Sequence, residues 1–169
     1  MKKQLVFRFI SHIKFLLTSN NQHGIHSPFV YDYITKCLYQ KKELKLPATL
    51  KVLIKSIAYF KYNSIRLIGD FKTSEEIIKQ HYASISITEH SADIIVCSIS
   101  DFGDTNIDIN TLSNDCMLLL DGIHTSSENF KTWKLLKELK HVSVSIDMFY
   151  CGALFFRKEQ VNEDFKIRI

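Results

Sequence analysis

The sequence predicts an α/β fold, a mostly parallel sheet preceded by helices and closed by an antiparallel C-terminal hairpin, on three observations. Up to about residue 62 apolar residues recur at helical spacing; beyond it short apolar runs alternate with helical stretches; and the last two runs are separated only by Phe149-Tyr150-Cys151-Gly152. At 169 residues, 46% hydrophobic and 24% charged, the chain can bury one sizeable core, which excludes disorder and collagen-like repetition. With 5 Gly and 2 Pro there is no Pro/Gly-rich linker. We read one globular unit: an N-terminal helical extension over 1–62 packing on an α/β core over 63–169.

Leu5, Phe9, Ile13, Leu16 and Leu17 repeat at helical spacing, with Lys3, Arg8, His12 and Lys14 between them. Residues 3–18 therefore read as a basic amphipathic helix whose apolar stripe needs a cover. Docking on the chain's own domain is the commonest solution; a partner subunit and a membrane surface are the alternatives. The polar run Thr18-Ser19-Asn20-Asn21-Gln22 ends this helix. Ser27 before Pro28 is a helix start, a hydroxyl acceptor followed by a proline that loses no hydrogen bond at the first position. A second helix is expected to about Tyr39. After a Lys-rich connection to Pro47, Leu50, Leu53, Ile54, Ile57, Ala58 and Phe60 predict a third over 48–62.

The rhythm then changes. Residues 64–69 predict a strand, 73–82 a helix with Thr73 and Glu76 at capping-box spacing, and 84–88 another strand. Residues 93–99 and 116–120 are continuous apolar runs, as in strands covered on both faces. A helix over about 126–139, carrying Phe130, Trp133, Leu136 and Leu139, leads to strands over 142–148 and 153–157. A connection as short as 149–152 cannot be a parallel crossover, so these two strands form a hairpin.

The net charge of +4 hides an asymmetry: up to Arg66 ten Lys and two Arg stand against Asp32 and Glu43, a net of +10, which leaves −6 for the remainder. A basic first third suits nucleic acid, anionic lipid or an acidic partner; the plainer reading is a dipolar protein with solvated helix faces. Cys37, Cys97, Cys116 and Cys151 are widely spaced and form no C-x-x-C, so they read as structural thiols. Together with an N-terminus in which Arg8, His12 and Lys14 interrupt any signal-like apolar run, this predicts a cytoplasmic setting. No stretch approaches the roughly 20 apolar residues of a transmembrane segment.

Three blocks carry a family resemblance: His23 to Val30, the strand end Asp121-Gly122-Ile123-His124, and the terminal hairpin from Ile146-Asp147-Met148-Phe149 through Phe155-Phe156-Arg157-Lys158-Glu159-Gln160. With these the chain resembles a bacterial O-methyltransferase-like group of the class I S-adenosylmethionine-dependent methyltransferases. The resemblance implies a Rossmann-like sheet with S-adenosylmethionine across the carboxyl ends of its first strands. It places the cofactor against the turn containing Gly69 and Asp70, with Glu89 binding the ribose hydroxyls and Ser98 ending the fourth strand. Gly69 matches the first glycine of that turn, while Phe71 and Lys72 replace later ones and Leu67 stands where an acid is usual. Because Asp93 already begins what resembles the fourth strand, the third strand and its adjoining helix are expected to be deleted.

On the chemistry, His124 suits a general base toward a hydroxyl substrate, with Asp121 orienting it. The alternative is that Asp121 caps the following turn and His124 is a polar strand-end residue. No metal site is expected, since Asp121, His124 and a distant Asp101 or Asp104 make a thin ligand set. His23 and His26 read as fixing the loop before Pro28, and Phe155 and Phe156 as core. No nucleic-acid signature is present. Two functions stay open: methyl transfer to an oxygen or nitrogen of a small-molecule acceptor, or a non-catalytic module that keeps the scaffold for interaction, in a homo- or hetero-oligomer. A membrane-surface or polyanion binder using the basic N-terminal helices is a third.

Overall fold

A computed structural model describes residues 2–21, 24–41 and 44–169. His23, one of the two histidines read as loop-fixing, lies outside the described residues; His26 is exposed. The chain begins with helices α1 (Lys2–Thr18), α2 (Pro28–Tyr33) and α3 (Ala48–Phe60). Strands and helices then alternate as β1 (Ser64–Leu67), α4 (Glu75–His81), β2 (Ser86–Ile87), β3 (Ile94–Ser98), β4 (Met117–Asp121), α5 (Ser127–Lys137), β5 (Val144–Asp147), β6 (Cys151–Phe155) and β7 (Glu163–Lys166). The seven strands form one sheet in the order β2-β1-β3-β4-β6-β5-β7. β2, β1, β3 and β4 are parallel; β6 runs antiparallel to both β4 and β5. This is the expected α/β class, a Rossmann-like mixed sheet closed by a reversed hairpin. β2 ends the sheet beside β1, in keeping with a missing third strand.

Strand alternation sorts the core onto two faces. Ile65, Ile94, Val96, Met117, Leu119, Ala153 and Phe155 face the N-terminal helices, which contribute Val30, Tyr33, Leu53 and Ile54. Ile95, Cys97, Leu118, Leu120 and Leu154 face α5, which answers with Trp133 and Leu136. Each such fully buried aliphatic side chain contributes about 1.5–3 kcal/mol. Phe155 and Phe156 thus enter opposite faces of the core, as their sequence reading has it.

Several local expectations are corrected. The helix from Pro28 widens into a π-helical turn over Ile34–Leu38, and the Ser27 hydroxyl makes no capping bond. The Thr73/Glu76 capping box does not form: residues Gly69–Ser74 wind as a 3-10 turn, and the Thr73 hydroxyl donates to the Asp70 carbonyl instead, at 2.7 Å. The tighter turn uses up Thr73 before α4 starts. β7 was not foreseen because Glu163-Asp164-Phe165-Lys166 has a single apolar residue; it pairs in parallel with β5 and is tied on by the Ser145 hydroxyl donating to Asp164. The most consequential difference concerns α1. The line Phe7, Ser11 and Phe15 faces the core, while the stripe of Leu5, Phe9, Ile13 and Leu17 faces outward.

Gly152 of β6 lies directly beneath the Trp133 indole: an added Cβ would fall 2.5 Å from the ring. Gly152→Ala is expected to destabilise the fold by about 1–3 kcal/mol, read from urea unfolding, because a buried indole and a central strand have little room to part. All four cysteines are free and buried. Burial pushes the thiols of Cys37, Cys97 and Cys116 up to about 12, and that of Cys151 upward too. Ellman's reagent should therefore find no reactive thiol in the folded chain and four after denaturation. An unfolded thiol ionises near 9.0 while the folded one keeps its proton, so this part of the stability is whole below that pH. The melting temperature should fall as pH climbs from 9 towards 12.

Candidate functional site

Open α/β sheets bind ligands at the carboxyl ends of their parallel strands, and two groups of residues collect there. The first follows β4. Gly122, at φ +73, turns the chain away from the strand. The Gly122 carbonyl accepts from the Thr125 backbone, the Thr125 hydroxyl and the Asn129 amide, and the Ser126 hydroxyl caps α5 by accepting from the Asn129 N–H. This turn delivers His124 beneath α1.

There His124 is 4% exposed and both ring nitrogens are engaged. Ser11 Oγ of α1 lies 2.5 Å from Nδ1, and Asp147 Oδ2 of β5 lies 2.8 Å from Nε2. The carboxylate only accepts, so Nε2–H donates to Asp147 while Nδ1 shares the second hydrogen bond with the Ser11 hydroxyl. The second oxygen of Asp147 accepts from the Phe149 N–H at 2.9 Å, which holds Phe149 at φ +66, a conformation costly for a non-glycine residue. That turn lays the Phe149 ring on one side of the imidazole, with centroids 4.8 Å apart, and Phe130 stacks at 4.6 Å.

Asp121 takes no part in orienting His124, which corrects the sequence expectation: its carboxylate accepts from the Thr49 hydroxyl and so ties the end of β4 to the start of α3. Nor does it cap the following turn, where Ser126 and Gly122 do that work. Ser11 and Asp147 escaped sequence reasoning. The available signal was an acid inside the apolar run of β5 and a hydroxyl among the hydrophobics of α1, since buried polar groups require partners. A serine, a histidine and an aspartate in one hydrogen-bonded chain is the arrangement acyl-transfer enzymes use. Here Ser11 is 8% exposed and the chain of bonds joins α1 to the sheet; a cavity of about 320 Å³ borders it, lined by Ser11, His124 and Asp147 with Phe15, Phe130 and Lys166 among others.

A cleft of about 160 Å³ opens alongside, lined by Arg8, Thr49, Asp121, Gly122, His124 and Tyr150 among others. That is below the roughly 300–1,000 Å³ of usual small-molecule sites. A wider cavity of about 480 Å³ lies at the opposite sheet end by Arg157, but that guanidinium is paired with Asp115 and Glu159. Among the described residues no group of three or more His, Cys, Asp or Glu is placed to hold a metal ion.

The second group follows β1, β2 and β3. Gly69 has φ +64, the left-handed turn that glycine allows, and β1 lies beside β2, so Gly69 and Glu89 share one rim. The gap between them is taken by the chain itself. A Cβ on Gly69 would come 2.9 Å from Asp101 Oδ2, so the Asp101 carboxylate already rests on the glycine. Ser98 joins it through Ser100: the two hydroxyls are 2.8 Å apart and Ser100 donates to Asp101 Oδ1 at 2.9 Å. Lys72 reaches across to Glu89, Nζ to Oε1 3.3 Å, and Phe71 packs against the core. Asp70 is exposed. Where the resemblance places the donor, the Asp101 carboxylate lies against the bare backbone of Gly69, Glu89 is paired with Lys72, and among the described residues no further strand lies beside β2. Comparison with protein-family models, curated proteins and solved structures finds no match.

The Ser11–His124–Asp147 chain predicts coupled stability losses. His124→Leu strands the Asp147 carboxylate in the core and should cost about 3–5 kcal/mol, while Ser11→Ala should cost about 1 kcal/mol. In urea unfolding the double variant should lose scarcely more than His124→Leu alone, because both changes break one network. Additive losses would mean the two bonds are independent.

Proposed function

We propose that this chain is a methyltransferase-like α/β scaffold that works without a methyl donor, as an interaction module. The observation that carries this reading is the Asp101 carboxylate seated on Gly69, where the donor's approach would be. The Lys72–Glu89 pair supports it, since a ribose competing for Glu89 must displace a cation. The catalytic reading of Asp121 and His124 has weaker support. One is bound by Thr49, and the other spends both nitrogens on Ser11 and Asp147, so neither is offered to an acceptor. What the scaffold retains is a strand end, at His124 and Asp147, that holds the basic N-terminal helix in one orientation.

Isothermal titration with S-adenosylmethionine and S-adenosylhomocysteine tests this reading. We expect no saturable heat below about millimolar ligand, the range in which binding free energy falls to roughly 4 kcal/mol. Micromolar binding that Glu89→Ala abolishes would overturn the proposal and restore the donor site.

A further inference from the structure

The outward face of α1 calls for an occupant. Leu5, Phe9, Ile13 and Leu17 succeed one another four residues apart and are 67%, 68%, 43% and 80% exposed. Val6 and Ile10 extend the same face. At 3.6 residues per turn these side chains span an arc of about 140°. An apolar patch of this extent is larger than isolated surface hydrophobics require.

The orientation is built in. The opposite side of the helix is anchored by Ser11 on His124, by Phe15 against the His124 and Phe149 rings, and by Phe7 against Phe130. Rolling the apolar stripe inward would break the Ser11 bond and leave His124 half-paired. The helix is therefore held apolar side out.

Charge decides among the possible covers. No acidic residue occurs before Asp32, and α1 carries Lys2, Lys3, Arg8 and Lys14. On the helical projection Lys3 and Lys14 border the apolar arc on one side, and Arg8 and His12 on the other. Neighbouring elements add to this rim: Lys134 of α5 sits 5.4 Å from the Phe130 ring that meets Phe7, and Lys166 of β7 donates to the Thr18 hydroxyl at the end of α1. A second copy pairing α1 with α1 would set two acid-free cationic helices side by side. An anionic bilayer instead takes the apolar side chains into its headgroup–acyl boundary and meets the lysines at the phosphates. No helix among the described residues is long and apolar enough to cross a membrane, so α1 would lie in the surface plane.

We infer that α1 is a membrane-surface anchor for bilayers containing anionic phospholipid. This inference stands on the exposed face of α1 and is independent of whether the sheet rim binds a methyl donor.

The test is co-sedimentation of the full chain with phosphatidylglycerol–phosphatidylcholine vesicles and with pure phosphatidylcholine vesicles. Binding to the anionic vesicles should be at least about tenfold stronger and should weaken in high salt. The double variant Phe9→Glu/Leu17→Glu should lose about tenfold or more of that binding. Its unfolding transition should stay unchanged, because both positions are solvent-exposed. Phe9→Trp gives a second readout: its emission should move to the blue on adding anionic vesicles, while Trp133, 1% exposed, stays constant. Failure to sediment with anionic vesicles, wild-type binding by the double variant, or a Phe9→Trp emission that does not move would each overturn the inference. So would a concentration-dependent dimer, dissolved by the double variant, in a chain that ignores vesicles; that result would assign the face to a second copy.

Discussion

A buried carboxylate on β5 organises the carboxyl end of the sheet. Asp147 is 2% exposed, and withdrawing a carboxylate from water costs several kcal/mol unless hydrogen bonds replace the water. It obtains them from the His124 ring and the Phe149 backbone. The first bond orients the His124 ring and, through Nδ1, recruits the Ser11 hydroxyl of a helix more than a hundred residues away in sequence. The second holds Phe149 in a left-handed turn that stacks its ring on the imidazole. The rotation of α1, the shape of the β5–β6 turn and the seating of the β4 turn all follow from satisfying one acid.

The consequence reaches the surface. Helices usually bury their apolar stripe because that lowers the free energy of the whole chain. In α1 the narrow line of Phe7, Ser11 and Phe15 turns inward and the broader apolar stripe is left outside. The hydrogen bonds and ring contacts beneath the helix offset part of this loss. The same end of the sheet shows the reverse economy at the β1–β3 rim, where Asp101 and Lys72 fill polar space that an open fold of this class leaves for a ligand.

Most of the fold was legible in the sequence because it rests on periodicity. Residues 93–99 and 116–120 read as buried strands from their apolar runs, and form Ile94–Ser98 and Met117–Asp121, while the hairpin follows from a connection too short for anything else. β7 was not legible, since a strand with one apolar residue is held by its neighbour β5 rather than by its own pattern. Of the candidate site, sequence spacing pairs His124 with Asp121, whereas in space His124 bonds Asp147 and Asp121 bonds Thr49. Gly69 and Glu89 were placed on one rim; that Asp101 and Lys72 would close it lies outside any local signal, because both come from loops whose side-chain directions are set by packing.

By itself the sequence determined the order of strands and helices as far as β6, the parallel-then-reversed sheet and the amphipathic character of α1, because period, turn length and charge spacing are properties of neighbours along the chain. Only the tertiary structure decided which way α1 faces and what the histidine bonds to. Both depend on desolvating Asp147 against groups brought from distant parts of the chain, a balance of burial and hydrogen bonding that exists only once those parts have met.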